Sequence, residues 1–293
     1  MRGALPLPVF AALAGVALLS LMDAFMKDAA LVIGAFSAAW LRSAFGTVLT
    51  APLWLATARR RIPRAALALH LERGVVSCLM AVTFFFALTK LPLAETIAIS
   101  FVAPLVTLYL AKVLLGEAVT RAAIGGSLVG FAGTLIVIGN RLGSGGFDHD
   151  TVAGLAAIIV SSLLYAYNFI IMRRQSQVAG PVEVAVFHSG VSALLLALAA
   201  PFLFVSPGQD QIGLIAIAAA LTVTGAMVLA WAYARAEAQK LVPMEYSGFL
   251  WASLFGWLFF HEAVAPITVL GTALIVTGCW IAARRQDPEQ AVV

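Results

Sequence analysis

The chain carries one pattern twice, at the end of each half. Residues 114–133 read LLGEAVTRAAIGGSLVGFAG and residues 259–278 read FFHEAVAPITVLGTALIVTG, an offset of 145 in a chain of 293 residues. The identical pairs are Glu117/Glu262, Ala118/Ala263, Val119/Val264, Gly126/Gly271 and Gly133/Gly278. A fainter match pairs residues 13–14 with 155–156 and residues 20–21 with 162–163. The repeat therefore covers each whole half, and the fold must accommodate two copies of one unit.

Apolar segments of membrane-crossing length fill both halves. Hydrophobic residues make up 62% of the chain and charged residues 11%, against roughly 45–50% and about 25% in soluble domains. Ten apolar segments are each near the ~20 residues with which a helix crosses a ~30 Å hydrocarbon core. They lie near 5–25, 33–55, 70–89, 93–115, 122–139, 152–172, 182–205, 212–234, 242–260 and 264–283. Because apolar residues do not alternate with period two, we predict helices and not a membrane barrel.

Basic residues are distributed unequally between the two sides of the predicted bundle. If the amino terminus is cytoplasmic, that side receives most of the 18 lysines and arginines, including the run at 59–61 and Arg73. Lys27, Lys90 and Arg141 fall on the opposite side, and Arg42 lies within segment two. The positive-inside rule then predicts that both termini are cytoplasmic. Basic residues beside a membrane orient the protein, so nucleic-acid binding is not predicted.

A polar, glycine-rich stretch separates the halves. Residues 140–151, NRLGSGGFDHDT, are predicted to be a linker between a first repeat at 1–139 and a second at 152–293. Each half has five segments, an odd number, so the second repeat begins on the other side of the membrane. We therefore predict an all-α membrane protein of ten transmembrane helices in two inverted five-helix repeats. Such repeats are typical of secondary transporters, whose substrate site lies near the midplane and opens alternately to each side.

Three features together resemble a known family. They are the five-plus-five arrangement, Arg42 in segment two, and the turn Leu115-Gly116-Glu117-Ala118-Val119, echoed as His261-Glu262-Ala263-Val264. This pattern resembles the drug/metabolite transporter superfamily, EamA type, over nearly the whole chain. Within it, the chain is most similar to bacterial inner-membrane exporters of the YddG type, which are associated with aromatic amino acids.

The resemblance implies export of small amphipathic metabolites, amino acids including aromatic ones among them, across the bacterial inner membrane. The alternative is a proton-coupled exporter of drugs or other metabolites from the same family. An enzyme is not expected, because no buried acid/base constellation, metal-ligand spacing or phosphate loop is visible. No cofactor or metal is predicted. The expected partners are a small-molecule substrate and the lipid bilayer, and the sequence leaves the oligomeric state open.

Two basic residues lie inside predicted helices, where charge costs about 2.5–3.5 kcal/mol on insertion scales. Arg42 is a candidate for attracting a substrate carboxylate, or for an ion pair with Asp23, or for reaching the outer headgroups. His188 lies near the position that corresponds to Arg42 in the second repeat. It is a candidate cavity residue or a residue of helix packing.

Polar residues recur along segments one, four and six. Asp23 could bind a substrate amine or a coupling proton, or be paired or solvated near its helix end. Segment six places Ser161, Tyr165, Asn168 and Met172 on one face, and repeat alignment sets Tyr165 against Asp23. No second carboxylate lies deep in a predicted helix, which does not favour strong proton or sodium coupling.

Segment four is predicted to bend. Thr96, Ser100, Pro104 and Thr107 share one face, and Pro104 removes a helical hydrogen bond. A broken helix at Pro104 would form a gate, and the alternative is a packing kink whose freed carbonyl is satisfied by neighbouring hydroxyls.

Aromatic and small residues complete the candidates. Phe84, Trp231, Tyr246 and Trp251 could stack on an aromatic solute, although such residues more often face lipid. Close helix packing is predicted at the glycines that follow the repeated turns, a pattern that allows backbones to approach. These are Gly126, Gly130, Gly133, Gly271 and Gly278.

Overall fold

The computed structural model describes residues 7–57, 62–115, 121–145, 148–175, 178–233, 244 and 246–283. All secondary structure in these residues is helical. In chain order the helices are α1 (7–33), α2 (35–57), α3 (Arg64–Lys90), α4 (Leu93–Ser100), α5 (Val102–Leu115), α6 (Arg121–Gly145), α7 (His149–Gln175), α8 (Pro181–Leu203), α9 (Gln209–Tyr233), α10 (Gly248–Phe260) and α11 (Pro266–Ala283).

Six helical stretches among the described residues are long and apolar enough to cross a membrane, counting Leu7–Ala56 and Leu93–Leu114 as one each. Three shorter apolar helices accompany them, at Ile124–Asn140, Gly248–Phe260 and Pro266–Gly278. The all-helical, membrane-type fold predicted from the sequence is thus present. Ten crossings in two inverted repeats remain a prediction.

A sharp turn at Gly34 separates α1 from α2. Its φ of 79° and ψ of 155° lie outside the helical region and in one that is open essentially only to glycine. The chain reverses here, because Asp23 and Arg42 interact electrostatically although 19 residues separate them along the chain. The first helix therefore runs beyond the predicted segment 5–25, up to the turn.

The fourth predicted segment is two helices. The α-helical pattern is interrupted at Phe101, between α4 and α5. Pro104 follows in the first turn of α5, and its missing N–H would have bonded the Ser100 carbonyl. The backbone of Phe101 keeps right-handed helical angles, φ −65° and ψ −5°, so the interruption is local, and a broken helix that acts as a gate remains a prediction. The ring of Phe101 lies 5.4 Å from that of Tyr246, so the break lies against the start of α10.

The helices pack in pairs that link the two halves. Gly15 of α1 lies against Leu229 of α9, and α3 packs along α7. Trp40 of α2 donates a hydrogen bond to the Ala193 carbonyl of α8 at 3.1 Å. Much of the predicted linker 140–151 is helical in the structure, because α6 extends to Gly145 and α7 begins at His149.

The glycines of the repeated motif lie where α6 meets α11. A Cβ at Gly278 would collide with the backbone of Gly126 and Gly130. One at Gly133 would collide with the Gly271 carbonyl, and one at Gly271 would lie within 2.9 Å of the Gly133 carbonyl. The two backbones therefore touch through these glycines, as expected for small-residue helix contacts.

Candidate functional site

Arg42 lies at the centre of a group of polar and aromatic residues inside the bundle. It interacts electrostatically with Asp23 of α1 and His188 of α8. Its guanidinium carbon lies 5.4 Å from the centre of the Phe85 ring of α3, a cation–π distance. We call Asp23, Arg42, Phe85 and His188 the central site. Four helices, α1, α2, α3 and α8, contribute to it.

The charges of the central site are close but not directly paired. Among the described residues no ion pair joins Arg42 to Asp23. The buried Nε of Arg42 and Nδ1 of His188 have no hydrogen-bond partner there. A buried donor without an acceptor costs about 1–3 kcal/mol, and more when it is charged. A ligand with a carboxylate would supply the missing acceptor.

Several aromatic candidates adjoin this region. Phe84 packs edge-on against Phe85 at 5.8 Å between ring centres. Trp251 stacks on Phe255 at 6.2 Å, and its buried Nε1 has no hydrogen-bond partner among the described residues. Phe255 packs on the same hydrophobic core as Phe85.

Tyr165 and Trp231 are both exposed, but on different kinds of helix face. Tyr165 is 39% exposed, although Ser161 and Asn168 on the same face of α7 are buried. Trp231 shares a face of α9 with exposed Met227 and Thr224. The position of Trp231 fits the lipid-facing alternative, and that of Tyr165 fits an opening inside the bundle.

Ser100 and Tyr246 lie beside the helix break. The Ser100 hydroxyl donates to the Ile97 carbonyl at 2.7 Å, within its own helix. Tyr246 is buried against Phe101. A Cβ at Gly248 would meet Val16 and Ser20 of α1 at ordinary contact distances, so the start of α10 lies close to α1.

A second polar cluster at one end of the bundle was not predicted from the sequence. It joins α3, α7 and α8 through five residues, which we call the clasp: His70, Arg73, Asn168, Gln175 and Glu183. Arg73 donates to Asn168 Oδ1 at 3.2 Å and to Gln175 Oε1 at 2.7 Å. Gln175 Nε2 lies 2.6 Å from His70 Nδ1, and His70 Nε2 lies 2.9 Å from Glu183 Oε1.

The clasp changes the interpretation of two residues. Arg73 had been assigned to the basic cytoplasmic side, but it lies within α3 and is buried. Asn168, a cavity candidate, instead accepts hydrogen bonds from Arg73 and from the Ser77 hydroxyl. The sequence signal that could have found the clasp is the His70-x-x-Arg73 spacing, which places two polar side chains on one face of an otherwise apolar helix.

A third cluster ties the opposite end of the bundle together. The buried Lys27 of α1 forms an ion pair with Glu262 and donates to the Leu91 carbonyl at 2.9 Å. The other carboxylate oxygen of Glu262 accepts from the Leu93 amide at 2.7 Å, at the first turn of α4. Glu262, which the sequence places in the repeated turn, therefore caps a helix that belongs to the other half. Its repeat counterpart, Glu117, lies outside the described residues.

Comparisons with known proteins agree on one family. The EamA-like transporter family matches residues 6–139 and 152–284. The pseudopaline exporter CntI of Pseudomonas aeruginosa strain UCBPP-PA14 is 26% identical over 264 residues, covering 89% of this chain and 90% of its own. The aromatic amino acid exporter YddG of Ancylobacter novellus is 26% identical over 205 residues, with coverage of 68% and 70%.

A solved crystal structure has the same fold. It superposes with a TM-score of 0.65 at 20% sequence identity, covering 94% of this chain and 96% of the other. The two named relatives differ in the compound that they export, so their names do not determine the substrate of this chain.

Proposed function

Since this chain belongs to the EamA-like transporter family, whose members are membrane transporters and not enzymes, we propose that it exports zwitterionic amino acids, aromatic ones included. The observation that carries the proposal is the central site. A guanidinium and a carboxylate lie within electrostatic range there without pairing directly.

The charge arrangement fits an amino-acid head group. Arg42 offers the substrate carboxylate a donor, its Nε, that has no partner within the described part of the chain, and Asp23 offers an acceptor to the substrate ammonium. A zwitterion between the two would satisfy both charges at once. An organic cation would satisfy Asp23 alone and leave Arg42 without an acceptor.

The surroundings fit an aromatic side chain. Phe85 already lies under the guanidinium, and Phe84 packs against it. The buried indole nitrogen of Trp251 has no partner among the described residues, and Tyr165 is exposed although Ser161 and Asn168 on its face are buried. These residues are the proposed contacts of the substrate ring.

Alternating access between inverted repeats is the proposed mechanism. When the two halves are compared, α1 corresponds to α7, α3 to α9, and α4 with α5 to α10. The contact between α1 and α9 then corresponds to the contact between α7 and α3. The contact between α1 and α10 likewise corresponds to the contact of α7 with α4 and α5. This correspondence supports two related units, and their opposite orientation is proposed from the odd number of predicted crossings in each half. We propose that they move around the central site, that Pro104 permits bending between α4 and α5, and that both termini are cytoplasmic in the bacterial inner membrane.

The proposal is tested by comparing three ligands that differ in one charge each. Binding of tryptophan, indole-3-propionate and tryptamine to the purified protein is measured by calorimetry in detergent. Tryptophan is expected to bind at least about tenfold more tightly than either of the others, because each lacks one charged contact of about 1.5–3 kcal/mol. Tryptamine binding as tightly as tryptophan would contradict the proposal and favour the drug-exporter alternative.

A further inference from the structure

The clasp holds a buried arginine without a direct carboxylate partner in the described contacts. Arg73 is bonded to the amide oxygens of Asn168 and Gln175. Arg73 is connected to the carboxylate of Glu183 only indirectly, through hydrogen bonds from Gln175 to His70 and from His70 to Glu183. A charged group held by neutral side chains depends on the orientation of those side chains.

The hydrogen bonds of the clasp can run in only one direction. An arginine side chain donates and never accepts, so the oxygen of Gln175 must face Arg73. The Gln175 amide nitrogen then faces His70 Nδ1, at 2.6 Å, and donates to it. Nδ1 must therefore carry a lone pair, and the single proton of the neutral ring lies on Nε2, where it is donated to Glu183.

We propose that His70 is a proton-binding site that controls how tightly this end of the bundle closes. When Nδ1 binds a proton, it becomes a donor and opposes the amide nitrogen of Gln175. Turning the Gln175 amide around satisfies Nδ1 but places its nitrogen against Arg73. No orientation of Gln175 keeps both hydrogen bonds once His70 is charged, so α3 and α7 lose their contact through His70, while Arg73, Ser77 and Glu72 keep theirs to α7.

The same proton strengthens a different link. A charged His70 forms an ion pair with Glu183 of α8, so α3 exchanges one partner helix for another. The side chain of Glu183 is 24% exposed and connects the buried ring with water at this end.

The other nearby groups have partners of their own. On α8, the ring of Phe187 stacks on His70 at 4.4 Å, and His188 interacts electrostatically with Arg73. Glu72 accepts a hydrogen bond from Tyr167 of α7, and Arg174 donates to the Leu114 carbonyl at 2.9 Å. Their contacts leave Gln175 as the residue whose hydrogen bonds conflict when His70 is charged.

A distance measurement tests the clasp without any substrate. Nitroxide labels are placed at exposed Leu67 of α3 and exposed Val178, just beyond α7, in a full-length chain whose two cysteines are alanine, reconstituted in lipid nanodiscs. Pulsed electron paramagnetic resonance then compares pH 7.5 with pH 5.5. The population at longer distance is expected to grow at least about threefold at the lower pH, and equal distributions would overturn the proposal.

Two variants separate His70 from other titrating groups. In His70→Gln the new amide can accept from Gln175 and donate to Glu183 but cannot gain a proton, so the distances should not respond to pH. In Gln175→Glu the carboxylate accepts from both Arg73 and charged His70, so the closed distance should persist at pH 5.5. An undiminished pH response in either variant would overturn the proposal. The consequence for transport rests on the proposed function, but this measurement does not.

Discussion

Replacing Glu262 by alanine is expected to lower the free energy of unfolding by about 3–5 kcal/mol. Its removal leaves the buried ammonium of Lys27 without a carboxylate, and an uncompensated buried charge has a cost of that size. The Leu93 amide loses its acceptor as well. Titration with sodium dodecyl sulfate in mixed micelles measures the change.

Asp150→Ala is the matched control for Glu262→Ala. Asp150 also forms an ion pair with a lysine, Lys90, at 2.8 Å, but the two side chains are 62% and 27% exposed. An exposed pair contributes about 0–1 kcal/mol. Lys27→Met combined with Glu262→Ala should be less destabilising than Glu262→Ala alone, because the stranded charge is gone. Equal losses in Glu262→Ala and Asp150→Ala would mean that the cluster does not hold this end of the bundle.

Replacing Arg42 by alanine is expected to weaken tryptophan binding by about 10–100-fold, because a charge-assisted contact of about 1.5–3 kcal/mol is lost. Arg42→Lys keeps the charge but not the planar pair of donors, so only part of the affinity should return. Asp23→Asn should weaken binding of tryptophan without weakening that of indole-3-propionate, which has no ammonium and is repelled by the Asp23 carboxylate. Calorimetry of each variant measures these effects.

Arg174→Ala is the control for the loss of a helical arginine. Arg174 donates to a backbone carbonyl and lies outside the central site, so tryptophan should bind its alanine variant as it binds the original chain. A folded Arg42→Ala variant that binds tryptophan normally would show that Arg42 has a structural role only.

The sequence predicts the helices well because hydrophobic segments must match the membrane thickness. It also predicts a local interruption before Pro104, since that residue lacks an amide hydrogen, although the backbone of Phe101 stays helical. Close helix packing was predicted at the repeated glycines, which allow backbones to approach, and the structure shows that the two glycine-rich helices, α6 and α11, pack against each other. The length of α1 was not predicted, because Gly34 has to be recognised as the turn within a continuous apolar run.

The polar clusters depend on contacts between residues far apart along the chain. Arg73 and Gln175 are separated by 102 residues, and Lys27 and Glu262 by 235. No local pattern reports such pairs, so Arg73 was interpreted as an orienting charge and Asn168 as a cavity residue. Arg42 and Asp23 were predicted as a possible pair because both lie in apolar helices beside the same turn.

Uptake of radiolabelled tryptophan into liposomes that contain the purified protein tests the central claim, that this transporter carries amino acids, most directly. The liposomes are preloaded with unlabelled tryptophan, and no pH gradient is imposed. We expect saturable uptake that the internal tryptophan accelerates and that Arg42→Ala reduces at least about tenfold. Uptake of the organic cation tetraphenylphosphonium without uptake of tryptophan would contradict the account.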